Sequence, residues 1–348
     1  MSRVNDCLYG MIDVPCMARR VVDTRLFQRL GRVRQLGNLS RAWPSAVHTR
    51  LEHSLGAMHL ADEYARLLAF SANERTVFVL ASLLHDIAHG PYSHTFELAI
   101  KGTESSALFG THDTFRIRLL TEDSELREAV GDAYIDDIIA VWDDRASPAC
   151  RISPEMIQIL HTLLAGVAGV DRMDYILRDS YHTTPQRRLD RTCVQSIMGE
   201  TSVDRARGVV VYSDKGERFI SHLLSERCYL YEEVYLHRRA VAADHYLAAI
   251  FPAVEARIRP LLTPKRFEEL DDAIISTLAW SGADDAAHAL RAFLRGRFPQ
   301  LVACKASESP DIVLHKKAVC DIAHAELPSS GLFPRLQDVL LYFKFRND

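Results

Sequence analysis

The feature that limits the possible folds of this chain most strongly is a run of histidines at the end of an apolar segment. Three histidines and an aspartate lie within it, in the order Leu83-Leu84-His85-Asp86-Ile87-Ala88-His89-Gly90-Pro91-Tyr92-Ser93-His94. Ionisable side chains are costly to bury unless they are paired or bound to a metal. The run therefore indicates a metal site. Histidines satisfied inside an ordinary core are the alternative, but burying several together multiplies the desolvation cost.

The apolar spacing before the run predicts a helix over 76–89, which the following glycine and proline would end. At about 100° per residue, the polar face of this helix carries His85, Asp86 and His89. His94 follows on the next turn, close enough to rejoin the same cleft. A zinc-protease motif is excluded, because Asp86 stands where that motif requires a glutamate.

The remaining periodicity predicts a mainly α fold with minor β-hairpin elements. The N-terminal segment up to Asp13 is predicted as a loop or short hairpin, 101–111 as a loop, and 209–216 as a strand with its turn. The chain is longer than one core comfortably fills, which predicts a catalytic domain and a smaller C-terminal lobe, 1–260 and 261–348. Further helices are predicted over 14–36 (broken near 23–24), 50–70, 112–122, 124–141, 154–167, 170–180 and 219–250.

Charge and cysteine content exclude several classes of protein. The formal net charge of −4 argues against a dedicated nucleic-acid coat protein. Local basic clusters at 25–34, 187–188 and 238–239 are solvated faces or phosphate contacts, so nucleic-acid binding is only weakly supported. The sequence shows no signal peptide. It also contains no apolar run as long as the ~18 residues that a membrane helix needs. The seven cysteines include no C-x-x-C pair, which favours reduced thiols and a cytoplasmic or nuclear location.

Four candidate metal ligands are scattered along the chain: His53, His85, Asp86 and Asp171. Two imidazoles and two carboxylates suit iron, manganese or zinc, with magnesium at an oxygen-rich second position. We expect a Mn/Mg or Fe/Mg pair. Such a metal would lower the pKa of a bound water and neutralise phosphate charge. The spacing alone leaves open whether the four ligands meet.

The order of these residues resembles the HD superfamily of metal-dependent phosphohydrolases. The surrounding sequences resemble its deoxynucleoside triphosphate triphosphohydrolase (dNTPase) branch more closely: TRLEHSLG at 49–56, HDIAHGPYSH at 85–94 and VDRMDYILRD at 170–179. The resemblance covers about residues 3–250 and implies an HD-domain helical core. It implies hydrolysis of a dNTP to deoxynucleoside and inorganic triphosphate by a homo-oligomer, a dimer or a tetramer. The C-terminal lobe would then serve oligomerisation or regulation.

The resemblance also implies a role for individual residues. His112 matches the catalytic histidine and Glu97 its acidic partner. His94 would belong to the same catalytic group and also contact the triphosphate. The metal would be held by His53, His85, Asp86 and Asp171. The other substrate-binding positions would be Arg50, His89, Gln35, Leu36, Arg172, Tyr175, Asp179, Arg227, Tyr231 and Tyr235.

Two parts of this assignment have their own sequence pattern. Arg227, Tyr231 and Tyr235 recur at i, i+4 and i+8, so they share one helix face. The resemblance implies a phosphate contact and a base platform there, although tyrosines at this spacing also occur in ordinary cores. Asp23 and Gln28 match a nucleotide-activator site. The arginine expected three residues after Gln28 is a glycine here, which leaves the identity of any activator open.

Two other functions stay open at this stage. One is an HD phosphohydrolase acting on another nucleotide phosphoester or on single-stranded nucleic acid, against which Leu36, Tyr175 and Asp179 argue because they match a deoxyribose pocket. The other is a non-catalytic nucleotide sensor or nucleic-acid-binding protein. The intact set of metal ligands together with His112 argues against that second function.

Overall fold

Helices form most of the structure, which is a computed structural model. It describes residues 2–184 and 189–298, and three short strands at 304–306, 312–314 and 342–343. The mainly α fold with small β-hairpins is confirmed. The predicted basic pair at 187–188 lies outside the described residues, as does much of the predicted C-terminal lobe.

The elements are numbered in chain order. The helices are α1 (Cys16–Val22), α2 (Arg25–Arg29), α3 (Arg50–Leu67), α4 (Ala72–Leu84), α5 (His94–Ile100), α6 (Glu104–Phe109), α7 (His112–Glu122), α8 (Ser124–Val130), α9 (Asp132–Asp143), α10 (Pro154–Ala165), α11 (Val170–Thr183), α12 (Arg191–Gly199), α13 (Asp214–Tyr229), α14 (Arg238–Ile258), α15 (Ala273–Ser281) and α16 (Asp285–Leu294). The strands are β1 (Arg3–Asp6), β2 (Gly10–Asp13), β3 (Thr201–Asp204), β4 (Val209–Tyr212), β5 (Cys304–Ala306), β6 (Ile312–Leu314) and β7 (Tyr342–Phe343). None of the described helices combines the length and apolar character that crossing a bilayer requires.

The described strands pair only antiparallel. β1 and β2 form the N-terminal hairpin, with Arg3 opposite Asp13, and β3 pairs with β4. β6 lies between β5 and β7. The sequence predicts β4 but not β3, because Thr-Ser-Val-Asp has only one strongly β-favouring aliphatic residue.

Helices α3 and α4 pack against each other and position the site. Thr49 and Glu52 form a capping box at the start of α3, and Ser71 with Glu74 does the same for α4. From Thr76 onward, every residue of α4 is buried. These fixed helix starts set the depth at which each helix carries its polar residues into the core.

The helix predicted over 76–89 ends earlier, at Leu84. The next amides donate three residues back, Ile87 N to Leu84 O at 3.1 Å and His89 N to Asp86 O at 3.2 Å, which tightens the backbone. Arg29 holds this turn, because its guanidinium donates to the carbonyls of Ile87 and His89 at 3.0 and 2.6 Å. A tertiary contact therefore overrides the apolar periodicity.

Four other predicted elements differ from the structure. The predicted helix over 124–141 is divided into α8 and α9, because Gly131 between them has a positive φ of 87°. The predicted loop over 101–111 contains α6, because buried Phe109 packs on Phe96 and Phe115. The predicted turn at 213–216 is instead the capped start of α13. The predicted helix over 219–250 is interrupted by a π-helical turn, Leu230–Tyr235, before α14 begins.

Residues 261–298 pack on the same hydrophobic core as the rest of the described chain. Phe267, Leu270 and Phe293 are fully buried in that core. Arg29 lies 4.3 Å above the ring of Phe267 and donates to Leu270 O at 2.6 Å. The boundary near residue 260 stays a prediction, but the segment just after it packs on the same core as the preceding residues.

Candidate metal centre and active-site cavity

The four predicted metal ligands meet, although they come from α3, the turn after α4, and α11. His53 Nε2 lies 3.1 Å from His85 Nε2 and 3.2 Å from Asp171 Oδ1. His85 Nε2 lies 3.4 Å from the same oxygen of Asp171. Asp86 Oδ2 is 3.5 Å from the Nε2 atom of each histidine. The fold therefore brings together the four ligands, which their spacing in the sequence did not establish.

Neighbouring acceptors orient both histidines. His53 Nδ1 lies 2.8 Å from Asp174 Oδ2, and His85 Nδ1 lies 2.7 Å from Ser82 O. A carboxylate and a carbonyl can only accept, so each Nδ1 carries a hydrogen and each Nε2 is left to bind at the centre. Two Nε2 atoms facing each other at 3.1 Å require a positive charge between them, either a metal cation or a proton.

The residues fit a divalent metal. Ligand atoms about 2.1 Å from one ion lie roughly 3.0–3.4 Å from their neighbours, close to the 3.1–3.5 Å found here. Burial lowers the pKa of His53, but its bonds to Asp171 and Asp174 outweigh burial and raise that pKa to about 10. The surrounding carboxylates thus favour a positive charge at this point. The identity of the metal stays a prediction.

A buried ion-pair chain supports the centre from behind. Arg178 donates through Nε and Nη2 to both oxygens of Asp174, each at 2.9 Å. Its Nη1 donates to Asp6 Oδ2, also at 2.9 Å. A Cβ on Gly56 would lie 1.9 Å from Asp174 Oδ1. Helix α3 therefore approaches the Asp174–Arg178 ion pair so closely that only glycine fits at this position.

Arg50 connects the metal ligand Asp86 to the loop that follows it. Its Nη1 donates to Asp86 Oδ2 at 2.5 Å and its Nε to Ser93 Oγ at 2.9 Å. Burial raises the pKa of Asp86, but Arg50 and the nearby histidines hold it well below its ordinary value. Tyr92 and Ser93 have positive φ angles, each 57°, and Asp272 fixes this strained backbone by accepting from Tyr92 N at 2.6 Å.

His112 and Glu97 form a second polar pair. His112 Nδ1 donates to Glu97 Oε1 at 2.8 Å. Burial lowers the pKa of His112, but the hydrogen bond and the charge of Glu97 outweigh it, and the net shift is upward. The pKa of Glu97 falls well below its usual range, because hydrogen bonds to His112 and His94 outweigh burial. The pair therefore favours the protonated form of His112, whose Nε2 is directed away from Glu97.

The two remaining histidines of the run lie beside this pair. His89 is 1% exposed, and its Nε2 contacts Asp86 Oδ1 at 3.2 Å. Burial and the charge of Arg50 keep the pKa of His89 well below its ordinary value, so this ring is neutral. His94 is largely exposed, and its Nδ1 lies 3.5 Å from Glu97 Oε1.

A cavity of about 630 Å³ opens beside the metal ligands. Cavities of this size hold ligands as large as nucleotides. Most of the predicted site residues line it, namely Gln35, Leu36, Arg50, Asp86, His89, His94, His112, Asp171, Tyr175, Asp179, Tyr231 and Tyr235. The arrangement therefore joins a metal-ligand cluster, an acid–base pair and a binding cavity.

The residues predicted to contact a sugar form their own network. Asp179 Oδ1 lies 2.8 Å from His48 Nε2, and Asp179 Oδ2 accepts from Tyr235 Oη at 2.6 Å. Each carboxylate oxygen accepts two hydrogen bonds, so Asp179 retains capacity for a ligand hydroxyl. The amide oxygen of Gln35 is buried and has no hydrogen-bond partner among the described residues. A bound hydroxyl could donate its hydrogen to either of these acceptors.

The predicted stripe on the long helix is distorted by the π turn but still reaches the cavity. Arg227 Nε donates to Tyr175 Oη at 3.1 Å, and its guanidinium lies 5.1 Å from the ring of Tyr231. Tyr231 and Tyr235 meet edge to face, with ring centroids 5.1 Å apart. Arg172 follows the ligand Asp171 and is half-buried, but it does not line the cavity.

The predicted activator residues lie elsewhere. Asp23 and Gln28 are exposed and do not line the cavity. Gln28 Nε2 donates to the backbone carbonyl of Val22 at 2.7 Å. Their regulatory role stays a prediction.

Several residues of the site were missed by the sequence analysis. Asp174 and Arg178 recur on one face of α11, so their helical spacing carried a signal. His48, Asp244 and His245 carried none, because each reaches the site through contacts made by a distant segment.

Comparisons with known proteins agree with this site. The HD domain family model matches residues 50–141, which include three of the four metal ligands. Residues 50–141 therefore belong to the HD domain family. The chain is similar to proteins named SAMHD1 dNTPase or its homologue: 28% identical over 80% of this chain and 55% of the Dictyostelium discoideum protein, and 30% identical over 55% of this chain and 35% of the Gallus gallus protein.

Another curated relative and one solved structure complete the comparison. The Mycoplasma genitalium protein MG461, whose name gives no function, is 31% identical over 68% of this chain and 56% of its own. This chain spans little more than half the length of MG461 and of the Dictyostelium relative. A phosphohydrolase structure from Bacteroides thetaiotaomicron, BT4208, has a TM-score of 0.74 over 93% of this chain and 84% of its own at 24% identity, which shows the shared fold.

Proposed function

We propose that this chain hydrolyses deoxynucleoside triphosphates to a deoxynucleoside and inorganic triphosphate. One observation carries the proposal: a single cavity joins the metal-ligand cluster to the His112–Glu97 pair and to the hydroxyl-binding network of Asp179. The names of the SAMHD1 relatives support the same substrate class.

The metal centre and the arginines would act on the phosphate chain. His53, His85, Asp86 and Asp171 would hold a divalent metal, which when bound lowers the pKa of a water molecule and neutralises phosphate charge. Arg50 lies at the cavity wall with its guanidinium fixed on Asp86 and would face the phosphates. A fixed cation stabilises charge that develops during the reaction without reorganising.

His112 would protonate the leaving group. Water attacks the α-phosphorus, and the bond from that phosphorus to the 5′-oxygen of the nucleoside breaks. The departing oxygen takes a proton from Nε2 of His112, while Glu97 stabilises the imidazolium through Nδ1. The products are a deoxynucleoside and triphosphate, and the proton released by the attacking water balances the one donated.

Product identification tests the proposal. The purified protein is incubated with each dNTP, each rNTP and single-stranded DNA, with Mn²⁺ or Mg²⁺, and the phosphate products are separated by anion exchange. Triphosphate together with deoxynucleoside supports the proposal. Orthophosphate, pyrophosphate or nucleotides as products would assign a different phosphoester, and no product from any substrate would leave a binding protein.

A Glu97→Gln substitution is expected to lower kcat by about 10²- to 10⁴-fold. The neutral amide no longer raises the pKa of His112, so that pKa falls. Because the active form is protonated at His112, the alkaline limb of the kcat/KM profile moves to lower pH. Steady-state kinetics across pH measures both effects. Glu128→Gln, an exposed residue paired with Arg20, is the control, and an unmoved limb in the Glu97 variant would contradict this role.

A Leu36→Ala substitution is expected to raise the kcat/KM ratio of rNTP to dNTP by about tenfold. Leu36 lines the cavity and would fill the space that a 2′-hydroxyl needs. Contacts of this size discriminate by about 10- to 200-fold. Hydrolysis of ATP and dATP is compared in the variant, in the wild type and in Leu98→Ala, which opens the cavity wall on α5. If the rNTP to dNTP ratio changed equally in both variants, Leu36 would not be the residue that excludes the 2′-hydroxyl.

A further inference from the structure

One wall of the cavity has no role in the chemistry described above. It is made by the first turns of α14, where Ala240 and Val241 are buried and Asp244 and His245 are half-buried. Helix α14 contributes no ligand to the metal centre. It packs instead on α5 and on the 3₁₀ turn that follows Leu36. This wall of two apolar side chains and one imidazole thus carries one carboxylate.

The carboxylate of Asp244 is held in one orientation. Its Oδ1 accepts from Asn38 Nδ2 at 2.8 Å and from Thr95 Oγ1 at 2.7 Å. Those bonds use both lone pairs of Oδ1. Oδ2 has no hydrogen-bond partner among the residues that the structure describes. Asp244 therefore presents a fixed, unused acceptor at the cavity wall.

We infer that Asp244 selects the nucleobase of the substrate by accepting from an exocyclic amino group, an inference that rests on the proposed dNTP hydrolysis. Adenine, cytosine and guanine each carry such a group. On its base-pairing edge, thymine has no amino group and only one ring N–H. Two carbonyl oxygens flank this N–H, and a carboxylate repels them. dTTP is therefore the poorest of the four substrates.

The protonation states on this wall support the assignment. Burial raises the pKa of Asp244 to about 6, although Asn38 and Thr95 oppose the rise. At pH 8 this side chain is therefore an anion that only accepts. Burial lowers the pKa of His245 to about 4, so the neighbouring imidazole is neutral and adds no charge.

The test compares two pyrimidines of equal size, dCTP and dTTP, at pH 8 with the same metal. For the wild type we expect kcat/KM for dCTP to exceed that for dTTP by about tenfold or more. Asp244→Asn keeps the shape. Because Asn38 and Thr95 both donate to the Oδ1 position, the amide oxygen occupies that position and the NH₂ group faces the cavity. The acceptor becomes a donor, and the ratio is expected to fall by about tenfold or to invert.

The control is Asp136→Asn, which removes an exposed carboxylate from α9 and should leave the ratio unchanged. Equal wild-type rates for dCTP and dTTP would overturn the inference. A ratio that stays the same in Asp244→Asn would also overturn it. In both cases triphosphate is still produced, so the proposed function survives; loss of that function would appear instead as no triphosphate from any dNTP.

Discussion

A His85→Ala protein is expected to release triphosphate at least about 1,000-fold more slowly than the wild type. The substitution removes one of two imidazoles from the metal centre and leaves His53 facing carboxylates alone. A metal that is not held cannot activate water or neutralise phosphate. The rate of triphosphate release from dATP and the metal content by elemental analysis measure the effect together.

A matched control shows whether replacing any histidine by alanine has the same effect. His222 is exposed on α13 and away from the cavity, so His222→Ala should keep both the metal and the rate. Wild-type triphosphate release by the His85 variant would show that the reaction does not use this centre. Full metal content with no activity would assign His85 a role other than metal binding.

A Gly56→Ala substitution is expected to destabilise the fold by about 3 kcal/mol or more. The new Cβ would lie 1.9 Å from Asp174 Oδ1 and 2.5 Å from Arg178 Nη2. Room can be made only by separating a buried ion pair, which is far costlier than the helix propensity gained from alanine. Thermal unfolding should show a decrease in Tm of about 4 °C or more.

Gly199→Ala is the control for this prediction, since its added Cβ meets no atom within 4 Å. That variant should unfold at or slightly above the wild-type temperature. An unchanged Tm in Gly56→Ala would mean that Asp174 and Arg178 relax without cost. The ion-pair chain would then contribute little to the stability of the metal centre.

The helices that carry the metal ligands could be predicted because local signals agree with tertiary demands. Helix α3 has a capping box at Thr49 and Glu52, and α11 repeats its polar residues on one face. The run from His85 to His94 indicated a metal because so many ionisable groups cannot be buried otherwise. These features depend on residues close together in the chain.

The exact path of the chain at the site could not be predicted, because distant partners fix it. Helix α4 ends at Leu84 since Arg29, more than 50 positions earlier, takes the carbonyls of Ile87 and His89. The π turn over 230–235 also lacks a local sign in the sequence. Periodicity reports which residues are apolar, not which backbone groups another segment will bind.

The supporting residues were harder to predict than the ligands. Arg178 binds Asp174 and also Asp6, which lies 172 positions before Arg178 in the sequence. Asp244 accepts from Asn38, 206 positions before it. A single aspartate on an amphipathic helix is usually solvated, so its position alone did not indicate a binding role. Only the fold shows that these carboxylates face buried donors.

Arg29 sets a limit on how this protein can be divided or recombined. The segment that matches the HD domain family model begins at residue 50. Arg29, whose guanidinium holds the turn after Leu84, lies before this segment. Leu270, whose carbonyl also accepts from Arg29, lies after it. A fragment covering 50–141 alone would leave the turn after Leu84 without its donor. Chimeras that exchange this segment between relatives should therefore retain their activity only when the matching residues at 29 and 267–272 are exchanged with it.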